Sequence, residues 1–441
     1  MLTRLKRFIL LLGDFFSLTL ALFLMIALRY EQTTWAQKFN DHLPHFLVIF
    51  FIWLVVFFIN DLYNLNLRAS GRKFFLQTMN AVALSSLLSV IYFYLSVNSS
   101  IAPKTNLVIF ILIFIVLFFL WRGLYQALVS SLIPKNNLAI IGFNGNAEII
   151  LEELKNNPGS GYETALIFKS ADEMASLAET VKEKNIRAIV VCDDFGQSEK
   201  MREALFSCLA YNITFFDYPS FYELLTGKVP VNAIDSSWFL DNLKEGEKNY
   251  FNFLKRIVDL FSSLIILIVS LPFWPLIMLG IALSGRGPIF FTQDRFGQNE
   301  IIFRMIKFRT MTEDGNDGTM TVEGDKRITA FGNFLRKTRL DEIPQVINII
   351  KGEMSFIGPR PERPEIVAEL EHQIPFYKTR LLIKPGITGW DQVSGNYHSP
   401  SLEDTKEKLQ YDLFYLKHRS IYLDLAITLK TVSTVLSREG R

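Results

Sequence analysis

Residues 257–283 read IVDLFSSLIILIVSLPFWPLIMLGIAL. An α-helix needs about 20 apolar residues to cross a bilayer, and this run is long enough. Three features oppose a simple crossing. Pro272 and Pro275 sit near its middle, where each removes a backbone donor and crowds the preceding turn, forcing a bend. Lys255 and Arg256 flank one end and Arg286 the other, so neither end reads as external. A true crossing would also separate 285–441 from the polar domain that precedes the run. A helix that enters, breaks at Pro272 and leaves by the same face meets all three conditions. An ordinary kinked span is the alternative. Broken backbone at membrane depth needs internal hydrogen-bond partners, and Ser270 is placed to supply one.

Outward from that run, the whole chain is apolar in the same way. Of 441 residues, 50% are hydrophobic and 14% aromatic, with 39 Phe, and only 20% are charged. The mean hydropathy is +0.23. Such a composition predicts membrane segments. The net charge of +2, without a Lys/Arg tract, argues against nucleic acid as the main partner. Cys192 and Cys208 match no metal spacing and read as reduced, buried residues.

Four further apolar runs, about 8–28, 44–63, 74–95 and 106–126, fill the first third and predict four transmembrane helices within 1–130. The first follows Arg4, Lys6 and Arg7, as a signal peptide would. It is long and lacks an A-x-A-type site, so it reads as a retained helix. Arg68, Arg72 and Lys73 mark the 64–73 loop, whereas the 31–43 and 96–105 loops are poor in cations. Positive-inside bias therefore places the N-terminus and the 64–73 loop in the cytoplasm, and an even number of spans returns the chain there near Arg122.

Residues 135–248 alternate strand and helix patterns, in NNLAIIGFNGNAEIILEEL, IRAIVVCDD and ITFFDYP, which predicts an α/β, Rossmann-like cytoplasmic domain. Gly142-Phe143-Asn144-Gly145 begins like a dinucleotide loop. The third glycine is missing, and no acidic residue ends a second strand at the expected distance. A ligand-free or regulatory module is the main reading, and bound dinucleotide the other.

The remainder, 250–441, combines the broken helix with a polar, basic, mainly α segment. GRGPIFFTQDRFGQNEIIFRMIKFRTM (285–311) carries Arg286, Arg295, Arg304, Lys307 and Arg309. Strand alternation groups Arg304, Ile306 and Phe308 on one face, with Ile302, Phe303 or Lys307 near the other. Cations beside a membrane helix suit phosphate groups or anionic headgroups, and a solvated basic edge is the plain alternative. In RITAFGNFLRKTR (327–339), Ile328, Phe331 and Leu335 share a helix face. TRLDEIPQ (338–345) follows. Pro344 suits the first turn of a new helix, which puts Asp341 and Glu342 at a helix junction. Neighbouring side chains diverge, so the two carboxylates do not readily act on one atom. One attacks or moves a proton while the other holds a cation, or else Asp341 caps the helix and Glu342 is solvated.

KGEMSFIGPRPERP (351–364) holds Arg360 between Pro359 and Pro361, where the backbone is fixed on both sides and the guanidinium is presented at low entropic cost. KPGITGWDQVSG (384–395) is a tight-turn segment with an exposed-looking Trp390. In 402–437, Leu402, Leu409, Leu413 and Leu416 recur at helix spacing. IYLDLAITLKTVSTVL then reads either as an amphipathic helix on a membrane surface or as a core helix.

KFRTM, TRLDEIPQ, GEMSFIGPRPERP and KPGITGW, in that order after a proline-broken apolar helix, resemble the bacterial sugar transferase family of polyprenyl-phosphate phosphoglycosyl transferases. The likeness covers roughly 250–437. Four spans plus a Rossmann-like module resemble, more loosely, the long form of that family. The resemblance implies transfer of a sugar 1-phosphate from a UDP-sugar to undecaprenyl phosphate with release of UMP. It further implies the first membrane step of exopolysaccharide, capsule or O-antigen assembly, in the bacterial cytoplasmic (inner) membrane. It implies Asp341 as nucleophile, forming a phosphosugar-aspartate intermediate, and Glu342 as ligand of Mg²⁺. Lys307, Arg309, Arg339 and Arg360 become phosphate or nucleotide contacts, and Asp412 matches an acidic position near the site. Two positions depart from the usual pattern. Leu271, not a small polar residue, precedes Pro272, and Asp391 stands where a small residue often follows Trp390. Two rival readings are a membrane-bound nucleotide-sugar oxidoreductase or dehydratase using the middle domain, and a non-enzymatic assembly scaffold. A homodimer through the middle domain stays open.

Overall fold

The computed structural model describes residues 2–65, 71–96, 103–132, 135–169, 177–192, 199–312, 325, 327–395 and 401–437. Arg68, within the 64–73 loop, and most of the 96–105 loop lie outside the described residues. The chain divides into two compact units between Phe221 and Tyr222.

The first unit begins with four apolar helices, α1 (Leu2–Arg29), α2 (Trp35–Ile59), α3 (Arg72–Leu95) and α4 (Pro103–Leu132). All four are long and apolar enough to cross a membrane, as their sequences predict. Aromatic rings join α2 to α4. Phe46, Phe50, Trp53 and Phe57 of α2 meet Phe110, Phe114 and Phe118 of α4, with Trp53 and Phe114 edge to face at 5.0 Å. Buried polar groups are paired across helices. Arg122 donates to Asp14 at 2.7 Å, and the Trp53 indole donates to the Ser89 hydroxyl at 3.0 Å. At Gly13 an added Cβ would fall 1.9 Å from the Trp121 ring, so α1 and α4 approach closely only because that position has no side chain.

The α/β part of this unit is a four-stranded parallel sheet in the order β2-β1-β3-β4. Its strands are β1 (Asn136–Ile141), β2 (Tyr162–Phe168), β3 (Ile186–Val191) and β4 (Thr214–Asp217). Between them run α5 (Gly145–Asn156), α6 (Leu177–Glu183) and α7 (Glu199–Ser207). Gly142 takes φ 83° in the turn after β1. Asn144 then caps α5 through Asn146 and Ala147 N–H, and its amide donates to Cys192 O. Both cysteines are free and buried, as read from the sequence.

Helix α8 (Tyr218–Thr226) carries the division. The expected boundary at 248 therefore moves: residues 222–248, with α9 (Ser236–Asn242), pack with the second unit. Val229, Val231 and Trp238 join a core with Leu409, Leu413, Leu416 and Ile427. Val229 N–H donates to Gln410 O, and Lys248 Nζ donates to Leu416 O at 2.7 Å. Burial against residues distant in sequence decided this placement, and no local pattern announces it.

The broken apolar run opens the second unit. Helix α10 (Asn249–Ser270) gives way to a 3₁₀ turn at Leu271–Phe273 and then α11 (Trp274–Leu283). Ser270 bridges the break, donating to Leu267 O at 3.3 Å and accepting from the Trp274 indole at 3.2 Å. Both arms are anchored on the same polar body. Arg256 of α10 donates to Ile349 O and Ile350 O at 2.6 and 2.8 Å. At Gly280 of α11 an added Cβ would lie 2.5 Å from the Phe331 ring.

That body contains an antiparallel pair, β5 (Phe290–Phe296) with β6 (Ile302–Phe308). The helices α12 (Ala330–Lys337) and α13 (Val346–Lys351) follow. Then come β7 (Ser355–Ile357), α14 (Pro364–Gln373) and β8 (Gly386–Thr388), with β7 and β8 parallel. The last helices are α15 (Trp390–Ser394), α16 (Leu402–His418) and α17 (Ile421–Ser437). Trp390 is half-buried rather than exposed, donating to Gly227 O at 3.0 Å and stacking on Phe414. Helix α17 buries Leu423 and Ile427 in the core while Ile421, Tyr422 and Leu425 stay exposed, so its two faces serve different surroundings.

Candidate active site

Thr329 caps α12 by accepting from Gly332 N–H at 2.9 Å. The helix stops where Arg339 adopts a left-handed φ of 56°, a conformation that costs a residue with a Cβ. The chain turns there into a 3₁₀ run, Leu340–Gln345, that holds Asp341, Glu342 and Pro344. The junction is where the sequence puts it, although Pro344 falls inside the 3₁₀ run and not in the first turn of α13. Neither carboxylate caps a helix. Both are buried, Asp341 at 8% and Glu342 at 9% exposure.

The two acids have different neighbours. Oε1 of Glu342 meets Lys307 at 3.1 Å, Arg360 at 3.7 Å and Arg339 at 3.9 Å. Burial alone would raise its pKa, but these cations outweigh it and hold the carboxyl at about 2. Asp341 is raised above the usual carboxylate value, by burial first and then by the charge of Glu342, against Lys307, Arg336 and Arg339. Its buried Oδ1 accepts no hydrogen bond among the described residues.

Lys307 reaches Glu342 because β6 is held on α13. Asn348, fully buried, accepts from Ile306 N–H at 3.2 Å and donates to Arg304 O at 2.9 Å, taking the place of a neighbouring strand. Phe303 and Met305 are buried on the Lys307 face, while Ile302 and Arg304 are exposed, so Ile302 belongs with Arg304 and not with Lys307. A cleft joins Lys307, Glu342 and Arg360 to Arg295 and Gln345. An apolar groove of about 640 Å³ runs along the helix break, lined by Ile265, Val269, Phe273, Phe334, Leu340 and Ile343. Leu340 and Ile343 flank the dyad in sequence, so one short segment lines both groove and cleft.

The structure thus gathers Asp341, Glu342, Lys307, Arg339 and Arg360. It does not bring two other expected residues to them. Arg309 donates to Ile281 O, Gly285 O and Arg286 O at 3.2, 2.7 and 2.8 Å, so its guanidinium closes the C-terminal end of α11. Asp412 is 1% exposed and pairs with Arg380 at 2.8 Å. Three groups escaped the sequence reading. Gln345, 2% exposed and with an amide nitrogen that has no partner among the described residues, stands inside TRLDEIPQ itself. Arg336, in the last turn of α12, is one of the cations that act on Asp341. Arg380 has no local signal.

Among the described residues no three His, Cys, Asp or Glu side chains cluster as a metal cage. Mg²⁺ does not require one, since it is commonly held by one or two carboxylates plus phosphate and water oxygens. The donors here fit. The Asp341 Oδ1 is bare, and all three ion pairs of Glu342 fall on Oε1, leaving Oε2.

Residues 250–438 match the family model described as bacterial sugar transferase. The chain is 34% identical to a UDP-N-acetylgalactosamine-undecaprenyl-phosphate N-acetylgalactosaminephosphotransferase of Aeromonas hydrophila, over 53% of this chain and 55% of that protein. It is 30% identical to a UDP-glucose:undecaprenyl-phosphate glucose-1-phosphate transferase of Xanthomonas campestris pv. campestris, over 73% of this chain and 70% of the relative. An Escherichia coli (strain K12) protein of the same name is also 30% identical, over 68% and 67%. The chain therefore belongs to the bacterial sugar transferase family.

Proposed function

We propose that this protein transfers a sugar 1-phosphate from a UDP-sugar to undecaprenyl phosphate, releasing UMP, in two steps. In the first, the Asp341 carboxylate attacks the β-phosphorus of the donor. A P–O bond to Asp341 forms, the bond to the bridging oxygen breaks, and UMP leaves with that oxygen. In the second, a phosphate oxygen of the lipid attacks the same phosphorus and Asp341 is released. One phosphoanhydride replaces another, so the obstacle is chiefly the repulsion between an anion and an anionic phosphorus. Lys307, Arg339 and Arg360 offset that repulsion, with Arg360 on the donor diphosphate. Mg²⁺, held by Glu342, would neutralise further phosphate charge when bound.

The observation that carries the reading is the asymmetry of the dyad: a bare, buried Asp341 oxygen beside a Glu342 ringed by three cations. The apolar groove along the break suits the isoprenoid units nearest the lipid phosphate. The anchoring of both arms of the broken helix on one body supports a re-entrant helix in the cytoplasmic membrane, with both polar parts of the chain on its cytoplasmic side. In the first unit, Asn144 is engaged in capping α5, which gives the oxidoreductase reading no support.

Asp341→Ala should abolish UMP release in membranes containing undecaprenyl phosphate, and full activity in that variant would reject the mechanism. Glu342→Ala should shift the Mg²⁺ titration to higher concentration; an unchanged titration would remove Glu342 from that role. The relatives' names carry different sugars, and a panel of UDP-sugars scored for UMP release sets which one this chain takes.

A further inference from the structure

The turn Pro359-Arg360-Pro361 has only one backbone N–H to donate, because two of its residues are prolines. Its position must therefore be fixed through its carbonyls, and all three are held. Pro359 O accepts from Gly386 N–H at 2.9 Å. Arg360 O accepts from Arg380 Nη2 at 3.1 Å. Pro361 O accepts from Arg295 Nη1 at 3.1 Å. The donors come from β8, from the 3₁₀ turn Tyr377–Leu382 and from β5.

Arg380 is the most constrained of the three. It is 5% exposed, its Nη2 also meets Asp412 Oδ2 at 2.8 Å, and its Nη1 donates to the Tyr377 hydroxyl at 2.8 Å. One planar guanidinium thus serves a carbonyl, a carboxylate and a phenol in different directions. A lysine ammonium on a flexible stem does not reproduce that. On the other side of the same residue the constraint ends: the Arg360 side chain is 42% exposed and only 3.7 Å from Glu342.

We propose that Arg380, with Asp412 as its counter-ion and Arg295 as a second brace, is a positioning residue that fixes the Arg360 guanidinium over the dyad without touching substrate. This rests on the reading above that Arg360 acts on the donor diphosphate. It also gives Asp412 its place: a charge acting on the site through two intermediaries.

The test is a double-mutant cycle on the full chain, reading UMP release against donor concentration with the better of UDP-glucose and UDP-N-acetylgalactosamine. Arg380→Lys should lower kcat/KM by about 10²-fold, the cost of a misplacement of roughly 1 Å at a clamp. In an Arg360→Ala background the same change should cost less than about 3-fold, because coupled residues are not additive. An equal cost in both backgrounds would make Arg380 a plain fold stabiliser and overturn the inference. If Arg360→Ala itself leaves kcat/KM unchanged, it is the reading of Arg360 that fails, and the inference with it. Should Arg380→Lys not fold, the same cycle with Arg295→Lys tests the neighbouring carbonyl, and additivity there is equally fatal.

Discussion

Two groups of buried acids lie in the second unit, and they are built in opposite senses. Around Asp341 and Glu342 the cations outnumber the carboxylates, with Lys307, Arg339 and Arg360 all on one oxygen. Around Arg380 the carboxylates outnumber the cation. Asp412 pairs with it directly, Glu362 stands 4.0 Å away, and Asp391 is buried beside them. Excess positive charge at the mouth of a cleft is costly until an anion arrives. Excess negative charge inside a closed core is offset differently: burial raises both Asp391 and Asp412 above the usual carboxylate range, and the Arg380 guanidinium works against that rise in both. The first arrangement suits an incoming phosphate, and the second suits the bracing role proposed for Arg380.

The sharpest way to break this contrast is Asp341→Asn. The substitution keeps shape and removes the nucleophile, so UMP release should fall by at least about 10³-fold while the protein stays folded. Next comes Lys307→Met, which removes the nearest cation from Glu342. It should lower kcat by about 10²-fold, in line with the loss of one preorganised charge. It should also move the acid limb of the pH–rate profile upward. Asp341 must be ionised to attack, its pKa already stands above the ordinary value, and Lys307 is the first of the cations that hold it down. An acid limb that stays in place would sever Lys307 from the nucleophile.

The smallest effect is expected on the other side of the comparison. Asp391→Asn should change kcat/KM by less than about 3-fold, since it leaves the Asp412–Arg380 pair intact. It should also flatten stability against pH. A carboxyl with a raised folded pKa contributes stability below its unfolded value near 3.8 and loses it as pH rises through the folded one. Glu342 has the opposite sign, stabilising above its usual value near 4.5 and failing as pH falls towards 2. Thermal unfolding of the wild-type chain and of Asp391→Asn, followed from about pH 4 upward, checks this, and parallel curves would contradict it.

The parts of this molecule that a reader finds in the sequence are those encoded locally. Apolar runs of bilayer length, two prolines inside one of them, and a proline after paired acids each act on their own few residues. The four apolar helices, the break at Ser270–Pro272 and the junction holding Asp341 and Glu342 are found this way. What stays hidden depends on which distant segments meet. Arg309 reads as a phosphate contact because a cation near an apolar helix has two outlets, and only the packing of β6 beside α11 sends it to the carbonyls of Ile281 and Gly285. Arg380 and Asp412 look unremarkable apart and matter only as a pair. The boundary misplaced at 248 has the same cause, since Val229 and Trp238 find their core on α16.

The most direct test of the account is to supply donor and withhold the lipid. Detergent-purified protein given UDP-sugar and Mg²⁺ without undecaprenyl phosphate should release UMP in a burst of about one per chain and gain the mass of a sugar phosphate on the peptide holding Asp341. Asp341→Asn should show neither. UMP that appears only after the lipid is added, or an adduct on another residue, would contradict it.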